Sequence, residues 1–131
     1  MIVVTLDTGA LIGMERNKQR AVMLLKAARE HRAQLLTTTP VIAEWWRGRT
    51  DVRDRIKRAI TIVPFPISAS QAAGIALGAI RAPKERARLS VDVMVVAFAA
   101  IHGGAIVYTS DVADLAAIAT RFFPSVRVLG V

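Results

Sequence analysis

The sequence predicts an α/β fold: a central, mostly parallel five-stranded sheet flanked by helices. Three observations carry this. Short β-branched or leucine-rich runs alternate with segments of helical periodicity along the chain. The hydrophobic fraction is 53% and is drawn largely from Ala, Val, Ile and Leu, as where helices cover a sheet buried on both faces. Gly, Pro, Ser and Thr fall where such elements must start or stop. No repeat, low-complexity tract or linker interrupts residues 1–131, which read as a single domain.

Each element has its own signal. Ile2 to Leu6 is a buried strand, ended by Asp7-Thr8-Gly9, and a short helix to about Glu15 follows. From Asn17 to His31, Ala21, Leu24, Leu25 and Ala28 form one stripe with Lys18, Arg20, Lys26 and Arg29 outside it, the pattern of an amphipathic helix. Gln34 to Thr38 is the second strand. Thr39-Pro40 reads as a cap followed by proline at the first helical position, opening a helix from Val41 to Arg47 that Gly48 stops. Asp51 to Ile60 is a further helix, and Thr61 to Phe65 a third strand. Ser68 with Gln71 fits a capping box before an Ala-rich helix reaching about Ile80. Arg81 to Arg88 reads as a basic connection. Ser90 then caps an apolar helix, Val91 to Ile101, terminated by Gly103-Gly104. Ala105 to Tyr108 is the fourth strand, Thr109-Ser110-Asp111 a turn, Val112 to Thr120 the last helix and Val126 to Leu129 the fifth strand.

Composition narrows the function classes. Eighteen Lys and Arg against ten Asp and Glu give a net charge of +8, which suits a polyanionic partner such as nucleic acid. The longest mostly apolar stretch is too short to span a bilayer, so no membrane association is expected. The chain has no cysteine, and no basic n-region precedes the first strand. Both features fit a cytoplasmic protein without disulfides or thiolate metal sites.

The chemistry lies in the acids. In open α/β sheets ligands sit beyond the carboxyl ends of the strands. Asp7 lies just past the first strand and Asp111 just past the fourth, with Asp114 one helical turn on. Glu44 falls on the helix after the second strand, and Asp92 on the first turn of the most apolar helix. The other five acids, Glu15, Glu30, Asp51, Asp54 and Glu85, fall on polar faces or in connections where a charge needs no special reason.

Taken singly, Asp7, Asp92 and Asp111 are explained by helix capping, and Glu44 is an ordinary surface acid. Their conjunction needs more. Asp92 is embedded among Val91, Val93, Met94, Val95 and Val96, and no Lys or Arg shares its helix. Converging carboxylates repel one another, and a divalent cation relieves that repulsion. With no cysteine, and with His31 and His102 at or beyond polar helix ends, the donors on offer are oxygens, which suit Mg²⁺ or Mn²⁺. Setting the five clustered acids aside leaves five acids against eighteen bases, or +13 around an acidic pocket. That pairing suits phosphodiester cleavage.

These residues carry a resemblance. Val3-Val4-Thr5-Leu6-Asp7-Thr8-Gly9-Ala10-Leu11-Ile12, Pro40-Val41-Ile42-Ala43-Glu44, Ser90-Val91-Asp92-Val93-Met94-Val95-Val96-Ala97 and Val107-Tyr108-Thr109-Ser110-Asp111 resemble, in order and spacing, the PIN-domain nucleases. The likeness is specifically to the VapC-type toxins of bacterial type II toxin–antitoxin pairs. It covers essentially the whole chain and implies a three-layer PIN-like fold. It also implies endoribonuclease activity with Mg²⁺ or Mn²⁺ held by acids at Asp7, Glu44, Asp92 and Asp111. Asp7 and Asp92 would be direct ligands, and the other two would act directly or through water. The implied partners are RNA, a second copy of the chain, and an antitoxin lying along a hydrophobic groove. Of the two adjacent tryptophans, Trp45 shares a stripe with Val41 and Ile42 and reads as core, which leaves Trp46 for the groove or the surface. Many relatives carry Asn-Asp and then Asp-Phe at the last motif. Here it is Ser110-Asp111 and then Asp114-Leu115, so Asp111 and Asp114 both remain open as the fourth acid. Thr8 and Ser110 read as turn hydroxyls rather than water-positioning groups.

Other classes fit less well. A phospho-acceptor domain wants paired acids before the acceptor and a late Lys, but Thr5-Leu6 precede Asp7 and the last Lys is Lys84. An aspartyl-phosphate phosphatase wants an acid two residues after its nucleophile, where this chain has Gly9. A non-catalytic nucleic-acid-binding or partner-binding module explains the charge but not Asp92 among valines.

Overall fold

A computed structural model describes residues 2–131. The elements are β1 (Val3–Leu6), α1 (Thr8–Glu15), α2 (Gln19–Glu30), β2 (Gln34–Thr38), α3 (Thr39–Trp45), α4 (Asp51–Ala59) and β3 (Thr61–Val63). They continue as α5 (Ile67–Gly78), α6 (Pro83–Arg88), α7 (Ser90–Ile101), β4 (Ile106–Thr109), α8 (Val112–Phe122) and β5 (Arg127–Gly130). The five strands form one sheet in the order β3-β2-β1-β4-β5, and every pairing is parallel. The α/β prediction is therefore met, and the sheet is wholly rather than mostly parallel.

This order has a direct consequence. The chain steps outward from β1 to β2 to β3, then returns across the sheet to β4 and continues to β5. Right-handed crossovers accordingly put α1 to α4 on one face and α5 to α8 on the other, giving three layers. The direction of winding reverses between β1 and β4, which opens a crevice at their carboxyl ends.

The core fills both sides of the sheet. Val4, Leu6, Leu35 and Val107 come from the strands; Leu11, Val41, Trp45, Val93, Val96 and Leu115 come from the helices. Phe98 heads a smaller cluster with Leu36 and Ala69. The helix α7 is buried nearly all round, as its Val- and Ala-rich sequence requires.

Several local expectations change. Residues 81–88 are not all connection: Pro83 at the helix start opens the short α6. The Ser68 capping box does not form, because Pro66 is the N-cap of α5 and the helix is under way by Ile67. Thr39 and Ser90 are not caps either. Thr38 and Leu89 occupy those positions without side-chain capping bonds. Thr39 instead accepts from the Phe65 backbone N–H, and Ser90 donates to the Ala87 carbonyl. Short hydroxyl side chains serve either end of such bonds, so sequence placed them one residue off.

Glu15 needed no reason in sequence but has one in the fold. It accepts from Trp45 Nε1 at 3.0 Å and from Arg53 Nε and Nη2 at 3.1 and 3.0 Å. This partly buried clamp joins α1, α3 and α4 and holds the Glu15 carboxyl below its usual pKa, chiefly through the Arg53 hydrogen bonds.

The turn before β4 has a steric requirement. Gly104 sits at φ +80°, and a Cβ there would lie 2.3 Å from the Val3 carbonyl oxygen. Gly104→Ala is therefore expected to destabilise the protein by at least about 2 kcal/mol. A denaturant midpoint equal to that of the parent protein would contradict this.

Candidate functional site

The predicted acids lie on or beside the segments that leave the carboxyl ends of β1 and β4, where the winding reverses, with Glu44 and Asp92 on the adjoining helices α3 and α7. Asp7 ends β1 and is only 5% exposed. One carboxylate oxygen accepts the Ala10 backbone N–H at 2.8 Å and so caps α1. The other accepts the hydroxyl proton of Thr109, the last residue of β4. Capping is thus real at Asp7, but it uses one oxygen only. Thr109 is fully buried, and its own Oγ1 accepts the Asp111 backbone N–H at 2.8 Å. A single hydroxyl therefore joins the two acid-bearing strand ends. Sequence reading looked instead to the neighbouring Ser110 and missed Thr109. The available signal was its period-2 inward position on a strand ending beside β1.

Glu44 comes in from α3, and the Thr8 hydroxyl donates to its Oε1 at 2.6 Å. Thr8 is therefore more than a turn hydroxyl. Asp92 stands half-buried on the first turn of α7. Asp111 is the N-cap residue of α8, yet its side chain makes no capping bond. The β1 and β4 loops approach closely at Gly9, where a Cβ would lie 3.3 Å from the Ser110 backbone nitrogen and displace the Ser110 hydroxyl.

The electrostatics show how these acids act on one another. Burial raises the pKa of Asp7, and the Asp111 and Glu44 charges add to it against the Thr109 and Ala10 bonds. Asp92 is pushed up to about 6, first by desolvation and then by repulsion from Asp7, Glu44, Asp111 and Asp114. The ion pairs among the described residues go elsewhere: Arg49 to Asp54, Arg53 to Glu15, and Arg88 to both Glu85 and Asp114. Asp7, Glu44, Asp92 and Asp111 have no such partner. Asp114 does, at 2.8 Å from Arg88, which holds its carboxyl below the usual range.

The donor set suits a hard divalent cation: oxygen atoms only, two of them on carboxyls whose charge is opposed by burial and by their neighbours. Among the described residues no group of three or more acidic or imidazole side chains is drawn together closely enough to hold a metal ion. Mg²⁺ keeps several of its waters and is commonly carried by one or two carboxylates together with substrate phosphates.

Thr109→Val keeps the shape and removes the hydroxyl. If the acids form the active site, this change should lower activity by about 10- to 100-fold, the usual effect of removing a group that orients ligands. Parent-like activity would show that the Asp7–Thr109–Asp111 link has no part in the site.

Trp45 is core, as expected, at 2% exposure. Trp46 is half-buried, with Lys57 Nζ 5.5 Å from its ring centroid, in a hollow shared with Arg49 and Arg58.

The comparisons agree with this architecture. The sequence matches the PIN domain family over residues 4–120. No curated protein matches it. Two solved structures share the fold along the chain. A chain of VapBC2 from Rickettsia felis, bound to a DNA fragment from its promoter, superposes with a TM-score of 0.68 at 13% identity, covering 100% of this chain and 99% of that one. A chain of DNA-bound VapBC from Salmonella typhimurium gives 0.63 at 10% identity, covering 99% and 98%. At such identities the likeness is one of fold. The family match spans all four acid-bearing segments and nearly the whole sequence, and by it the chain belongs to the PIN domain family, a family of nucleases.

Proposed function

We propose that residues 1–131 form one Mg²⁺- or Mn²⁺-dependent endoribonuclease domain, the toxin of a type II toxin–antitoxin pair. It acts in the cytoplasm as a homodimer and is restrained by a cognate antitoxin. The observation that carries this reading is the sorting of the acids. In a chain with eighteen Lys and Arg, the ion pairs go to Glu15, Asp54, Glu85 and Asp114. Asp7, Glu44, Asp92 and Asp111 are left to one another at the sheet's reversal point. Glu30 and Asp51 also lack ion pairs, but both are exposed helix-end residues with ready solvation.

Asp7, Asp92, Glu44 and Asp111 would hold the ion, with Asp114 beside them. When bound, the cation supplies a more acidic water and neutralises charge developing on the phosphate. The chain's own residues do the rest. Thr109 and Thr8 fix the orientation of Asp7 and Glu44, and the basic surface retains the phosphate backbone. The structures of VapBC complexes with this fold support the antitoxin reading. So does a groove of about 630 Å³ between α1, α2 and α4, with Met14, Leu25, Val52 and Ile56 in its floor and Arg29 and Arg55 at its rim. Trp46 lies in a different hollow, outside that groove.

The test is incubation of purified, antitoxin-free protein with single-stranded RNA and Mg²⁺, Mn²⁺ or EDTA. Cleavage that needs the metal and stops with EDTA is expected. Salt-sensitive RNA binding without cleavage in Mn²⁺ would instead favour a non-catalytic nucleic-acid-binding module.

A further inference from the structure

Arg88 ends α6, immediately before the helix that carries Asp92. Its guanidinium is forked: Nε and Nη2 donate to the two oxygens of Glu85 at 3.2 and 2.6 Å, and Nη1 donates to Asp114 Oδ2 at 2.8 Å. The contact to Asp114 crosses 26 residues and ties α6 to the first turn of α8. Asp114 is two helical positions past Val112, and its carboxyl stands against that of Asp111, the N-cap residue of the same turn. Asp111 itself makes no capping bond, and its backbone N–H is already held by Thr109. Thr109 thus holds Asp111 at its backbone N–H, while the Arg88–Asp114 pair stands beside its carboxyl in the same turn.

We propose that Arg88 is a positioning residue: by engaging Asp114 it removes that acid from the ligand set and fixes Asp111 as the fourth metal-facing carboxylate. This rests on the nuclease reading given above and settles which of the two acids completes the site. A carboxylate that already accepts from an arginine fork competes less well for a cation than one without an ion pair. The fork is suited to the task because only a planar guanidinium reaches Glu85 and Asp114 at once; a lysine ammonium supplies the charge without the geometry.

The experiment combines Mn²⁺ binding, followed by electron paramagnetic resonance or calorimetry, with RNA cleavage kinetics. It uses Asp7→Asn, Asp111→Asn, Asp114→Asn, Arg88→Gln, Arg88→Lys and the Arg88→Gln/Asp114→Asn double variant. Asp111→Asn should weaken Mn²⁺ binding about tenfold or more, and Asp114→Asn by less than about threefold. Arg88→Gln and Asp114→Asn should each lower kcat about tenfold with little change in KM. The double variant should be no slower than the worse single one, because both remove the same link. Arg88→Lys should recover only part of the loss.

Equal loss of Mn²⁺ affinity in Asp114→Asn and Asp111→Asn would overturn the role of Arg88. So would a raised KM with unchanged kcat in Arg88→Gln, since that identifies a direct phosphate contact. Additive losses in the double variant would overturn it as well. If Asp7→Asn binds Mn²⁺ as the parent protein does, the metal site itself is misplaced and the role of Arg88 falls with it. Loss of affinity in Asp7→Asn keeps the two failures distinguishable.

Discussion

Asp92→Asn is expected to abolish metal-dependent RNA cleavage, a loss of at least about 1,000-fold, and at the same time to stabilise the metal-free protein at neutral pH. The two effects have one cause. Asp92 titrates at about 6 in the folded protein, above the usual 3.8, because burial and four neighbouring acids oppose its charge. Between pH 4 and 6 the folded chain therefore binds more protons than the unfolded one, and the stability of the metal-free protein falls as pH rises through that window. It stays lower at pH 7. The asparagine carries no charge to bury.

Allowing for the solvent that reaches this half-buried group, the gain is about 1–2 kcal/mol. That corresponds to a rise of about 4–8 °C in Tm. Saturating Mn²⁺ should raise the Tm of the parent protein and leave that of Asp92→Asn nearly unchanged, since only the parent retains the ligand. Thermal melts at pH 5 and 7, with and without Mn²⁺, measure all of this. A variant that is inactive but less stable than the parent at pH 7 would show that Asp92 is a structural acid.

Asp7 gives the second large effect, and here the choice of substitution matters. Asp7→Asn preserves a carbonyl to cap Ala10 and a polar group facing Thr109, so the fold should persist while cleavage is lost. Asp7→Ala removes both. It strands the Ala10 N–H and the Thr109 hydroxyl in a buried site, at about 1–3 kcal/mol of stability. Alanine at this position is therefore expected to lose both cleavage and stability. Denaturant titration of the two variants beside the cleavage assay separates them. Equal stability of the alanine variant and the parent would show that the bonds around Asp7 contribute nothing to the fold.

Much of the fold was legible because local periodicity and global topology agree. The β-branched runs, the stripe through Ala21, Leu24, Leu25 and Ala28, and the Gly103-Gly104 stop each specify their element from a few adjacent residues. Cap positions were not legible. Ser68, Thr39 and Ser90 bond to groups other than their own helix N-termini, which depends on where neighbouring loops run. Glu15 looked like any polar-face acid until α4 brought Arg53 beside it across 38 positions of sequence.

The sequence by itself determined the element order apart from α6, which acids fall near the strand ends, the lack of cysteine and the excess of basic residues, because these follow from residue type and short-range spacing. Only the tertiary structure decided which acids are left without cations. That depends on long-range approach: Thr109 to Asp7 across 102 positions and Arg88 to Asp114 across 26. Asp111 and Asp114 are three residues apart and chemically identical. What separates them is an arginine on another helix, which no local pattern could place.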